Sequence, residues 1–136
     1  MTGYRLRPVQ DQRARDERGA RGELAQAVGD VSAAQARLVA ASARVGELRE
    51  ALCHSVPTTT IAELVRVERY RTRLRGLLEL ALLDELHARQ ARDGRAVSVE
   101  LARDRLALAR AARRAVETHF ARWRDDQRKL AERRED

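Results

Sequence analysis

Aromatic residues make up 3% of this 136-residue chain, and it holds only seven glycines, two prolines and one cysteine. Few bulky side chains exclude a thick globular core, and few loop-formers exclude a fold built from many turns. One cysteine, Cys53, excludes an internal disulfide and fits a reducing compartment. No apolar run approaches the roughly 18 residues needed to span a bilayer. The opening Met-Thr-Gly-Tyr-Arg-Leu-Arg-Pro lacks the apolar stretch of a signal peptide. Lysine is nearly absent too, with arginine supplying all but one of the 28 basic residues.

Charge, by contrast, is plentiful, at 36% of residues and a net +7. That balance implies a preference for acidic surfaces. The bases are interleaved with 21 acidic residues, so no single-sign stripe forms and nucleic acid is a disfavoured partner. A chain so charged and so poor in turns reads as long helices with wide solvated faces.

One heptad repeat runs unbroken from Ala20 to Leu52. Its a positions are Leu24, Val31, Leu38, Val45 and Leu52, and its d positions are Ala20, Ala27, Ala34, Ala41 and Leu48. Such a seam needs a second helix, and small residues at d let the backbones approach closely. The spacing predicts a helix from about 8 to 54, roughly 70 Å at 1.5 Å per residue. Before Ala20 the heptad positions are Glu17, Arg13 and Gln10, and Gly19, Gly22 and Gly29 weaken the helix there. Residues 1–7 read as an extended arm.

The stretch 55–60 breaks the pattern. Pro57 disfavours helix at Val56, and Thr60 with Glu63 matches a capping box for a following helix. A plain hairpin turning at Pro57 would leave about 30 C-terminal residues unpaired, although Val116, Phe120, Trp123 and Leu130 share a face. Short tip helices over about 61–83, hinged at Gly76, solve this and leave a long helix over about 84–134. The leucines from Leu74 to Leu86 surround their helix and call for more than one covering neighbour. The last helix presents Leu101, Leu108, Ala112, Val116, Phe120, Trp123 and Leu130, with a stutter between Ala112 and Val116. The expected fold is therefore all-α: one domain, an elongated antiparallel two-helix coiled coil with short helices at the tip.

Catalytic signatures do not occur. There is no phosphate-binding glycine loop, nucleophile elbow or His-Glu-x-x-His, and His87 and His119 lie far in sequence from Cys53 and His54. The expectation is a protein that is not an enzyme, with no cofactor and no metal site. Phe120 and Trp123 are expected to plug the seam near its open end.

The start Tyr4-Arg5-Leu6-Arg7-Pro8-Val9-Gln10, the Pro57 break, the segment Tyr70-Arg71-Thr72-Arg73-Leu74 and the ending Phe120-Ala121-Arg122-Trp123-Arg124 together resemble the YscO/FliJ family. Its members are central stalks of type III secretion and flagellar export. The resemblance implies a cytoplasmic coiled coil whose paired terminal ends enter the hexameric secretion ATPase. It also implies a link to the cytoplasmic domain of the export gate and, in some members, handling of secretion chaperones. By that resemblance Arg5, Arg7, Arg13, Arg15, Arg122, Arg124 and Arg128 lie near the ATPase pore, and Tyr70, Arg71 and Arg73 near the tip, facing gate or chaperone. It further implies a monomer in isolation and no membrane insertion. A generic coiled-coil adaptor or chaperone has the same pattern with other partners, and a basic helical nucleic-acid binder is the remaining alternative.

Overall fold

A computed structural model describes residues 4–135. Residues 1–3 of the expected N-terminal arm lie outside that range. The chain forms two helices, α1 (Arg7–Cys53, 47 residues) and α2 (Ile61–Glu135, 75 residues), and no strand among the described residues. The packing falls into two compact units. One combines the residues up to Val28 with those from Ser98 onward, and the other is Gly29–Val97. In each, α1 and α2 pack antiparallel, as the short connection between them requires.

Local chemistry sets the helix ends. Tyr4 accepts the Arg7 N–H at 3.2 Å, and Pro8 follows within the first turn, where its missing N–H is no loss. At the start of α2 the expected capping box is present. The Glu63 N–H donates to Thr60 Oγ1 at 3.2 Å, and Glu63 Oε2 accepts from the Thr60 N–H at 3.1 Å. Thr59 adds its N–H at 2.8 Å and its hydroxyl at 3.0 Å to the same carboxylate oxygen. These bonds hold the Glu63 carboxyl below the usual range, the Thr59 backbone N–H contributing most.

Every expected seam residue of α1, from Ala20 to Leu52, is buried or half-buried. In the Gly29–Val97 unit, Val45 and Leu48 join Leu74 and Ala81 in a core flanked by Ala51, Leu52 and Leu78. In the other unit Ala20, Val99, Ala102 and Leu106 are buried.

The structure corrects two expectations about the second half of the chain. No short tip helices occur over 61–83, because α2 runs without a break through Gly76 and Gly94. With no proline after Pro57, a lone glycine lowers helix propensity by about 1 kcal/mol and does not end a helix of this length. The length mismatch is solved by register instead. The pairs Gln35–Arg92 and Ser42–Glu85 both have their midpoint between residues 63 and 64. In the other unit the midpoint of Glu23–Arg105 is residue 64. The pairing register is therefore centred about residue 63 rather than on Pro57, while the turn itself lies in the connection before Ile61. The seven residues 54–60 carry it past the end of α1, and the first turns of α2 follow.

The second correction concerns the α2 seam. Leu101 and Leu108 are exposed, Leu108 at 71%, whereas Leu106 is only 6% exposed. Beside the half-buried Ala112 and Glu117, the buried and half-buried positions include an unbroken series, Val99, Ala102, Leu106, Ala109, Arg113, Val116, Phe120 and Trp123. That series alternates four and three residues with no stutter, so the coiled coil needs no local unwinding. Leu130 keeps the same heptad phase but is exposed. With the register centred on residue 63, it lies beyond any described residue of α1.

Candidate functional site

In the unit holding both chain ends, the first described residues close over α2. The Tyr4 hydroxyl meets His119 Nδ1 at 3.0 Å. The Tyr4 ring packs edge-on against Phe120 at 4.8 Å and lies 5.2 Å from Trp123, with Phe120 and Trp123 stacked at 5.8 Å. Phe120 and Trp123 thus occupy the seam as expected, and Tyr4 is the partner that spacing did not reveal. Aromatic pairs of this kind add about 0.5–1.5 kcal/mol each beyond burial.

Behind that cluster the seam carries charge. Glu17 is 5% exposed, the one buried charged side chain among the described residues. Its carboxylate receives Arg21 at 2.7 Å and Arg113 at 3.0 Å, with Arg110 at 3.7 Å. The Arg113 hydrogen bond is the largest cause holding the Glu17 carboxyl below its usual range; burial, next in size, opposes it, and the charges of Arg21 and Arg113 add to the lowering. Arg113 also bonds Glu117 at 2.7 Å, and its guanidinium is raised above its ordinary value by Glu117 first and Glu17 second. One buried carboxylate shared by three arginines is a structural clamp.

The arginines expected at an ATPase lie in this same unit and are exposed. Arg13 pairs with Asp16 at 3.7 Å, and Arg15 bonds Gln12 at 3.0 Å. Arg128 reaches Asp125 at 3.5 Å and Glu132 at 4.0 Å. Among the described residues Arg5, Arg7, Arg122 and Arg124 have no ion pair. The last turns of α2, carrying Arg124, Arg128 and Lys129, run on past Trp123 and end with Arg133 and Arg134 in the final turn.

In the Gly29–Val97 unit, Tyr70 and Arg71 line a cleft of about 400 Å³. Its other walls are Ala51 at the end of α1, His54 and Val56 on the connection, and Arg66 and Val67 on α2. Arg73, grouped with Tyr70 and Arg71 at the sequence level, is exposed but does not line it. Arg71 forms an exposed pair with Glu68 at 3.4 Å. Further along α2, Leu80 is 61% exposed, with Leu83 and Leu86 also open to solvent. The expected additional cover for these leucines is not supplied by the described chain.

Cys53 is exposed, and no group of three potential metal ligands occurs among the described residues. No described helix is long and apolar enough to cross a membrane. No family model, curated protein or solved structure matches this chain.

Proposed function

We propose that this chain is a non-catalytic stalk of the YscO/FliJ kind, acting in the cytoplasm at the base of a type III secretion apparatus. The observation that supports this best is the C-terminal stretch of α2. It continues as helix beyond its α1 partner and carries arginines, of which Arg122 and Arg124 have no acidic partner among the described residues. On this reading the aromatic cluster of Tyr4, Phe120 and Trp123 keeps the two chain ends together. The projecting, cation-bearing turns then enter the hexameric secretion ATPase. Tyr70, Arg71 and Arg73 face the export gate or a secretion chaperone. Two packed helices whose buried charge is already neutralised offer no reaction centre, which favours a mechanical role over catalysis.

The test mixes the full chain with a cognate type III secretion ATPase and ATP, and measures ring assembly and hydrolysis. Stimulation of both is expected, and Arg122→Glu with Arg124→Glu and Arg128→Glu should abolish it while helicity is retained. An assembly-competent ATPase that ignores the protein overturns the reading. The exposed Leu80, Leu83 and Leu86 favour one second reading, a coiled-coil adaptor with unrelated partners.

A further inference from the structure

The cleft beside the helix connection is lined mostly by apolar side chains together with two arginines. Ala51 and Val67 are half-buried in it, while Val56 and Tyr70 expose half or more of their surface. Arg66 and Arg71 bring two guanidiniums to its lining, and no carboxylate lines the cleft. Its volume of about 400 Å³ falls within the roughly 300–1,000 Å³ typical of ligand pockets. The wider surroundings share the sign. Residues 61–75 carry five arginines against two glutamates, Glu63 and Glu68. Glu63 is consumed by the helix cap, and Glu68 pairs with Arg71. Arg66 has no ion pair among the described residues.

The connection is also held in shape. The four hydrogen bonds among Thr59, Thr60 and Glu63 anchor its last residues, and Pro57 restricts its middle. A wall fixed before binding lowers the ordering cost of association. Tyrosine and arginine are, with tryptophan, the side chains enriched where interfaces concentrate their energy.

We infer that this cleft docks an acidic, amphipathic peptide segment of a protein partner, with one apolar side chain against Val56, Val67 and Tyr70 and flanking carboxylates on Arg66 and Arg71. A carboxylate matches the guanidinium fork with two parallel hydrogen bonds, and an apolar side chain matches an apolar lining that has no other use. Nucleic acid fits less well, because Tyr70 is the one aromatic side chain in the lining and the apolar residues beside it are aliphatic. Tyr70 and Arg71 are the residues the stalk reading assigns to gate or chaperone. The inference adds the chemistry of what docks there, and its test needs no secretion component, so either can fail alone.

The experiment selects a random peptide library displayed on phage against the full immobilised chain, with counter-selection on an Arg66→Glu, Arg71→Glu variant of unchanged helicity. Recovered peptides should place Asp or Glu beside Leu, Ile or Phe. A synthetic copy should bind the parent protein at least about tenfold more tightly than the variant, and added salt should weaken it. Tyr70→Ala should weaken it with the charges intact. Several outcomes overturn the inference: no recovered peptide, peptides without acidic enrichment, or binding unchanged in the variant. Displacement of the peptide by single-stranded DNA at equal charge concentration also overturns it, since the site is then a general polyanion surface.

Discussion

The two units spend the same heptad positions differently. In Gly29–Val97, apolar side chains of both helices meet around Val45, Leu48, Leu74 and Ala81, close to the connection. In the unit holding the chain ends, the corresponding α1 position is Glu17, gripped by Arg21, Arg110 and Arg113, with an aromatic cluster beyond it. Apolar packing is tolerant of small shifts, whereas a buried carboxylate must find its partners or remain uncompensated. The first unit therefore supplies stability and the second supplies register. Polar seam residues do the same work in the first unit, on a smaller scale. Glu85 accepts the Ser42 hydroxyl at 2.7 Å, and Arg92 donates to Gln35 at 3.4 Å, both across from α1. The seam position on α1 nearest each is an alanine, Ala41 or Ala34, which leaves room for a long side chain to lie over it.

The largest effect is expected from cutting the apolar cluster. Leu48→Ala or Leu74→Ala should cost about 2–4 kcal/mol in chemical denaturation, as large-to-small changes in packed cores do. A cost below about 0.5 kcal/mol, the range of ordinary surface changes, would mean the cluster does not carry the unit. In the other unit Leu106→Ala should destabilise by about 2 kcal/mol or more, while Leu108→Ala, two residues away, should stay within about 0.5 kcal/mol. Equal losses would show that the α2 seam is misassigned.

Glu17 gives the next effect, and it depends on pH. Its carboxyl is lowered in the folded chain, so its stabilising contribution is full above the unfolded carboxylate value and is lost as pH falls through the lower folded one. Thermal unfolding followed from neutral to acid pH should show that loss, and Glu17→Gln should flatten that part of the curve while lowering stability at pH 7. An unchanged acid limb would remove Glu17 from its proposed role. The smallest effect separates hinge from helix. A Cβ added at Gly76 or Gly94 meets nothing within 4 Å, so Gly76→Ala and Gly94→Ala should each stabilise by about 0.5–1 kcal/mol. Destabilisation by either would restore the hinge at that position.

Much of α1 was legible, because its Leu and Val positions alternate with alanine and its outer faces are plainly polar. The α2 seam was not. It includes Arg71, Glu85, Arg92 and Arg113, while Leu80 sits outside it, so choosing large apolar residues selected the wrong face at Leu101 and Leu108 and the right one at Val116, Phe120 and Trp123. The signal that was present is the four-three spacing of Val99, Ala102, Leu106 and Ala109, masked by brighter leucines nearby. Of the functional residues, the arginines near the ends were visible as charge. The union of Tyr70 and Arg71 with His54 and Val56 in one cleft depended on where the connection runs.

Sequence alone determined that this is an all-α chain, that α1 needs a partner along Ala20–Leu52, and that a capped second helix begins beside Thr60 and Glu63. Those features are local: heptad spacing, a proline and a capping box act within a few turns. Tertiary packing decided the register about residue 63, the face α2 turns inward and the burial of Glu17. Each of these depends on which residues of two distant helices come level, and no spacing within either helix contains that information.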